Sequence, residues 1–250
     1  MYQEERLLKI LEYLNKNNSM SIHTICEMFG VARDTARRDI VKLIEQGAAV
    51  RSRGGISLPV LKNTIKNYRE RLEAYSEEKK NIAKRALEFI EAGEHYFFDV
   101  STTVSFLAQY VDKSITVFTH SLDNIEILSE KKDVKLYSMG GCFNKENRFF
   151  YNPDCMNYVK GVKFDVAFLG AAAITEEGIF YADEEDAYVK NQVCKNSSKV
   201  IVLAEIEKFN KLSYFKGLNL DEIDILVTDS MPPSEFVNII KSNNIKLVTI

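Results

Sequence analysis

The sequence predicts an α/β chain in two parts, a winged helix-turn-helix unit followed by a mostly parallel α/β domain. Two observations carry this. Val31 to Gly55 reads as a basic amphipathic helix running into a basic Gly-Gly turn, and from Ser76 onward short β-like apolar runs alternate with helix-like stretches.

In the first stretch Ala36, Ile40, Leu43 and Ile44 recur at helical spacing, while Arg33, Arg37, Arg38 and Lys42 fall largely off that side. Gly47 offers a helix stop, and Arg51, Ser52, Arg53, Gly54 and Gly55 make a tight cationic turn. Ahead of it, Leu7, Leu8, Ile10, Leu11 and Leu14 outline a first amphipathic helix ended by Asn17, Asn18 and Ser19. Ser21 is placed to cap a second helix with Ile22, Ile25, Met28 and Phe29 inward, and Gly30 turns the chain into the third, which begins near Ala32. Three short helices and a basic hairpin suit double-stranded DNA, with the third helix in the major groove and the wing on a neighbouring phosphate or minor groove.

Composition is that of a globular protein, 46% hydrophobic and 28% charged. No apolar run reaches the roughly 20 residues that cross a bilayer, and the N-terminus lacks the pattern of a signal peptide, so a cytoplasmic protein without membrane partners is expected. Net charge is −3, yet residues 1–60 hold nine Lys/Arg against seven Asp/Glu, leaving −5 on the rest. The cationic surplus therefore sits where phosphate contacts would use it. Cys26, Cys142, Cys155 and Cys194 are scattered, as are His23, His95 and His120, so neither metal nor other cofactor is expected.

The chain divides by pattern into residues 1–58, a joint over 59–75, and 76–250. Pro59 stops the wing. Leu61, Ile65, Tyr68 and Leu72 fall along one side of a charged segment that reads equally as a connecting helix touching a second subunit or as a solvated linker. Ser76 is placed to cap a helix with Ile82, Ala83, Ala86, Leu87 and Ile90, ended by Gly93. Apolar runs follow at Tyr96–Phe98, Ile115–Phe118, Val134–Tyr137, Val166–Leu169, Val200–Leu203, Ile225–Val227 and Leu247–Ile250, the rhythm of a Rossmann-like sheet with helices on both faces.

Such sheets bind ligands at the carboxyl ends of their strands. Those ends carry Asp99, Ser101, Thr102 and Thr103, then Thr119, His120 and Ser121, then Gly140 and Gly141, then Gly170, with Lys208 after the fifth run. Hydroxyls and free amides at a helix start suit an anion. Each set alone has a capping or turn reading, but their convergence points to a phosphorylated small ligand.

Both parts resemble the DeoR family of bacterial transcriptional regulators. Arg6, Ile10 and Leu14, then Ala32, Thr35, Ala36, Arg37, Arg38, Asp39 and Ile40, fill the family's DNA-binding signature in register. Arg51, Arg53, Gly54 and Gly55 fill R-x-H-G-G with Arg53 in place of His. In the second part Asp99, Ser101, Thr102, Thr103 and Val104 stand for D-x-G-T-T-T, while Thr119, His120 and Ser121 stand for T-N-S. Leu203, Glu205, Glu207, Lys208 and Phe209 stand for L-x-D-x-S-K-F.

The resemblance implies a DNA-binding repressor whose second domain is related to sugar-phosphate isomerases and senses a phosphorylated sugar metabolite of carbohydrate metabolism. A homodimer or homotetramer is expected, because one small wing-helix unit buries too little surface for specific binding. Thr35 could give its hydroxyl to a phosphate, and Arg33, Arg37 and Arg38 could reach phosphates or a guanine edge. Asp39 reads as an orienting partner for an arginine. His120 is a ligand contact or a satisfied loop histidine. The alternative is an isomerase-like enzyme with an accessory DNA-binding head. Against it, Gly170-Ala171-Ala172-Ala173 lacks the acid pair that the pentose-phosphate isomerases carry there, and Glu184, Glu185 and Asp186 read as an acidic helix start. Binding without turnover is the expectation.

Overall fold

The computed structural model describes residues 3–17, 19–45, 48–52, 54–57, 68–209 and 211–250. Gly47, Arg53, Pro59, Leu61 and Ile65, all invoked above, lie outside the described residues. The chain falls into two compact units, Met1–Ile65 and Lys66–Ile250.

In the first unit α1 (Gln3–Asn17), α2 (Ile22–Phe29) and α3 (Arg33–Glu45) pack around Leu7, Ile10, Leu14, Ile25, Ala36, Ile40 and Leu43. Burying each of the larger aliphatic side chains stabilises the unit by about 1.5–3 kcal/mol. Leu8 and Met28, expected inside, are 63% and 49% exposed, because each lies off the buried stripe of its helix. Ser21 caps α2 by accepting from the Thr24 amide at 3.0 Å, and Gly30 ends it at φ 61°. The wing is β2 (Val50–Ser52) antiparallel to β3 (Gly55–Ser57). A strand absent from the sequence reading, β1 (Ser19–Ser21), pairs with the other edge of β3. Gly55 is required there: a Cβ would stand 2.1 Å from the Met20 carbonyl oxygen.

The second unit is built on a seven-stranded parallel sheet. Its strands are β4 (His95–Phe98), β5 (Ile115–Thr119), β6 (Val134–Ser138), β9 (Phe164–Leu169), β12 (Ser197–Leu203), β14 (Ile225–Thr228) and β15 (Lys246–Thr249), in the spatial order β15-β14-β12-β9-β4-β5-β6. All seven apolar runs named from the sequence are strands of this sheet.

Strand alternation divides the core in two. Tyr96, Phe98, Phe168, Ile201 and Val227 face one layer, with Ile82, Val104, Leu107 and Leu128 from the helices. Phe97, Ala167, Leu169, Val202 and Leu226 face the other, with Val189, Val193, Phe236 and Ile240. Two small antiparallel additions were not foreseen. They are the hairpin β7 (Cys142–Asn144) with β8 (Phe149–Tyr151), and the sheet of β10 (Ala173–Thr175), β11 (Gly178–Tyr181) and β13 (Phe215–Leu218).

The helix entering this unit differs from expectation at both ends. It runs Ser76–Ala86 (α5), preceded by Tyr75 in the left-handed region (φ 54°) with no side-chain cap, so Ser76 is its first residue and not its cap. A 3-10 turn, Leu87–Phe89, follows, and Gly93 (φ 87°) serves the turn into β4. The shorter α4 (Tyr68–Glu73) comes just before, with Leu72 38% exposed. Among the described residues no helix is long and apolar enough to cross a membrane.

Candidate functional site

Each unit holds one candidate surface. On α3 the apolar residues are spent inward, which leaves Arg33, Arg37 and Arg38 exposed and Lys42 and Thr35 half-buried. Arg33 and Arg37 line a groove shared with Arg51, Ser52, Gly54 and Gly55 of the wing. A second concavity is lined by Arg37, Arg38, Lys42 and Gln3. The local partners of these cations are weak: Arg37 stands 3.5 Å from Asp34, and Arg38 donates to the Asp34 carbonyl at 3.4 Å. Asp39 does orient an arginine, and that arginine is Arg6 of α1. Its Nε and Nη2 donate to the carboxylate at 2.6 and 3.0 Å, both side chains being buried.

In the second unit the chain order reverses between β4 and β9, the switch point where open parallel sheets form crevices. A cleft lies there, over the carboxyl ends of β4, β9 and β12. Asp99, Ser101, Thr102 and Thr103 follow β4, Gly170 follows β9, and Glu205 and Lys208 follow β12. All seven line the cleft, so the six expected at these three strand ends do converge, with Glu205 joining them. Helix α6 (Thr102–Tyr110) opens with its first-turn amides at the cleft and no side-chain cap from Ser101, an arrangement suited to an anion. Gly170 is held against this start; a Cβ would meet the Ser101 Oγ at 2.4 Å.

Thr119, His120, Ser121, Gly140 and Gly141 are not in the cleft lining, which corrects the expectation. They follow β5 and β6, which lie beyond β4 from the switch point, and their groups are used structurally. The Thr119 hydroxyl donates to the Phe98 carbonyl at 2.6 Å, and Ser121 caps α7 (Leu122–Ser129) by accepting from the Asn124 amide. Gly141 (φ 129°) leads into β7 at the open end of the hairpin, where a Cβ would stand 2.4 Å from the Tyr151 carbonyl oxygen. His120 is fully buried, stacked on Phe97 at 5.6 Å, with Nε2 3.1 Å from Asp186.

Asp186 is more than part of an acidic helix start. Under the cleft, Asp99, Asp186 and Lys190 form a buried network, with Asp186 and Lys190 one turn apart on α8 (Glu184–Lys195). Lys190 Nζ lies 2.6 Å from Asp186 and 3.2 Å from Asp99, and 3.7 Å from the centre of the Tyr181 ring. Asp99 also accepts the Gly170 amide at 2.8 Å, and Tyr181 donates to the Gly170 carbonyl at 2.9 Å.

Burial pushes the Asp99 carboxyl up in pKa despite Lys190. Burial would raise Asp186 too, but Lys190 and His120 outweigh it and hold that carboxyl below its ordinary value. Burial also raises the Tyr181 phenol, with Asp99 and Asp186 adding to the effect. Asp99, His120 and Asp186 bring potential metal-ligand atoms within 4.8 Å of one another. The Lys190 ammonium already supplies the positive charge such a trio would draw, so the donor set fits an ion-paired floor better than a metal centre.

A second buried network stands at the end of β12. Glu205 accepts from the Thr103 hydroxyl at 2.9 Å and lies 3.8 Å from both Lys79 and Lys208. Lys79 is buried, and desolvation lowers its amine to about 8 against the pull of Glu205. Arg71, Asn147, Tyr181, Asp183, Asp186 and Lys190 also line the cleft and were not foreseen as site residues. Only the i, i+4 spacing of Asp186 and Lys190 was a usable sequence signal.

Residues 6–60 match the DeoR-like helix-turn-helix domain, and residues 74–230 match the DeoR C-terminal sensor domain. The chain is 39% identical over 249 residues to the HTH-type transcriptional repressor GlcR of Bacillus subtilis, covering 99% of this chain and 96% of that one. It is 24% identical over 250 residues to the glycerol-3-phosphate regulon repressor of Escherichia coli, covering 99% of each. A solved ribose 5-phosphate isomerase A from Neisseria gonorrhoeae aligns over 54% of this chain and 53% of that one, at 18% identity and a TM-score of 0.39, a likeness too slight to build on. With a helix-turn-helix domain and a sensor domain that both match, the chain belongs to the DeoR family of DNA-binding transcriptional regulators and is not an enzyme.

Proposed function

We propose that the protein represses a carbohydrate-metabolism operon, binding double-stranded operator DNA in the cytoplasm as a homodimer or homotetramer and responding to a phosphorylated sugar metabolite. Residues 1–58 would be the DNA-binding domain, 59–75 the linker and 76–250 the sensor. The observation that carries the reading is the cleft at the β4/β9 switch point, where Ser101, Thr102 and Thr103 open a helix beside Lys208. The hydroxyls and first-turn amides suit phosphate oxygens. Carboxylates of the same cleft, Asp183 among them, suit sugar hydroxyls. A relative named as the glycerol-3-phosphate regulon repressor supports a phosphorylated metabolite as the ligand class.

On the DNA side, Arg33, Thr35, Arg37, Arg38 and Lys42 of α3, with Arg51, Arg53 and Gly54 of the wing, are the proposed contacts. One such small unit buries too little surface for specific binding, so two or more copies act together. Ligand in the cleft would favour one spacing of the recognition helices. A coupling of about 1–3 kcal/mol would change operator affinity about 5–150-fold.

The test is a titration of the DNA upstream of its own gene, with and without glucose 6-phosphate, ribose 5-phosphate and glycerol 3-phosphate. Binding at low salt that weakens in the Arg37→Ala and Arg38→Ala variants and responds to one of these phosphates supports the reading. Indifference to that DNA removes its DNA half. Indifference to all three phosphates removes the ligand half.

A further inference from the structure

Phosphate carries close to two negative charges at neutral pH, and a cleft that selects it needs cations within its lining. Among the described residues, three cationic side chains line the cleft: Lys190, Lys208 and Arg71. Lys190 is committed, being buried between Asp186 and Asp99 against the Tyr181 ring. Lys208 stands 3.1 Å from Glu207 and 3.8 Å from Glu205, so its charge is partly offset.

Arg71 has a different origin from every other lining residue. It comes from α4, the first described helix after the segment that joins the two units, and not from a strand end or a sheet-covering element. Its field reaches the cleft carboxylates, since it opposes the upward push of burial on the Asp183 pKa. A guanidinium offers the planar fork that takes two phosphate oxygens at once, which a lysine ammonium cannot.

The backbone carrying Arg71 is anchored to the same site. Lys79 Nζ donates to the carbonyls of Arg71 and Ala74, at the carboxyl end of α4. That ammonium lies 3.8 Å from Glu205, which also accepts from Thr103 at the start of α6. One buried lysine thus ties the end of α4 to the carboxylate on the β12 side of the cleft.

We infer that Arg71 is a binding residue for the ligand's phosphate, acting with Lys208 and the α6 amides, so that the ligand touches the helix through which the sensor unit continues into the joint. This rests on the reading of the cleft as a sugar-phosphate site. Lys79 is then a positioning residue, fixing the carbonyl end of α4 so that the guanidinium reaches inward. Occupancy of the cleft acts directly on α4.

The test uses the full chain and calorimetric titration with glucose 6-phosphate, ribose 5-phosphate and glycerol 3-phosphate, alongside glucose, ribose and glycerol. The readout is the preference for each phosphorylated compound over its unphosphorylated partner. Arg71→Ala is expected to reduce that preference by about tenfold or more, the scale of losing a charge-assisted bidentate contact. Arg71→Lys is expected to restore part of it, because the charge returns without the fork. Arg71→Gln, closer in shape, takes the place of Arg71→Ala if thermal melting shows that variant unfolded. A general loosening of the fold would lower affinity for phosphorylated and free compounds alike and leave the preference unchanged. If the wild type prefers a phosphate and the variants keep that preference in full, the role of Arg71 is wrong while the cleft reading stands. If the wild type binds none of the three phosphates, the cleft reading fails and takes this inference with it.

Discussion

Arg6 on α1 and Asp39 on α3 are joined by two hydrogen bonds, 2.6 and 3.0 Å, with side-chain exposures of 8% and 0%. Gln3 adds a third at 2.9 Å. The pair fixes α3 against α1 from the polar side of a helix whose other side is apolar. Removing one partner strands the other charge in a dry site, which costs about 3–5 kcal/mol. Asp39→Ala should therefore lower the stability of the N-terminal unit by about that amount in urea unfolding. Operator binding should fall only as far as the folded fraction does. A variant as stable as the wild type would mean that the pair contributes nothing net.

The exposed arginines should behave oppositely. Arg37→Ala and Arg38→Ala remove side chains that make only weak surface contacts with Asp34, so stability should change by no more than about 0.5 kcal/mol. If each reaches a phosphate, the slope of log affinity against log salt should fall by about one per residue. Equal slopes for wild type and variant would take that arginine out of the phosphate-contacting set.

Gly170 sits where a Cβ would meet Ser101 Oγ at 2.4 Å and Ser101 Cβ at 2.5 Å. Gly170→Ala must push Ser101 and the start of α6 outward, an overpacking that costs about 1–3 kcal/mol. At a temperature where the variant stays folded, DNA binding should persist while the response to sugar phosphate is lost. A normal response measured in the same mobility-shift titration would count against the α6 start as part of the ligand site.

Lys79 gives a pH prediction. Its amine is lowered from 10.5 to about 8, burial outweighing Glu205 and Glu207, with Lys208 and Arg71 lowering it further. Between those values the unfolded chain holds a proton that the folded chain has released. Stability linked to Lys79 is therefore present above the unfolded value and lost as pH falls through about 8. The wild type should gain stability relative to Lys79→Met as pH is raised across that window, with a flat difference at lower pH. Chemical denaturation at stepped pH reads this directly, and a difference that stays flat throughout would show Lys79 titrating normally.

The element pattern was legible because period and composition are local properties. Tyr96–Phe98 or Val200–Leu203 reads as a strand from its own residues, and the stripe of Ala36, Ile40 and Leu43 reads as a helix face from its own spacing. The role of Asp39 as an arginine partner was legible too, since a carboxylate inside a cationic helix asks for one. Leu8 and Met28 were misplaced because an apolar residue adjoining a stripe looks the same in sequence whichever way it points. The strand Ser19–Ser21 was missed because so short a run has no period to read; it exists only because β3 offers an edge.

By itself, the sequence determined two units of different architecture, the basic side of α3, and which strand ends carry hydroxyls and glycine. Spatial order across the sheet is set by nonlocal pairing, and only the tertiary structure decided it. That order puts β12 and β9 beside β4 and sends β6 to the edge, so Asp99, Gly170 and Lys208 meet while Thr119, His120 and Gly140 do not. The same packing drove Asp186, Lys190 and Lys79 out of water, where a charge is tolerable only beside its opposite. It also brought Arg71, from the helix after the joint, to the rim of a cleft built nearly 30 residues and more further along the chain.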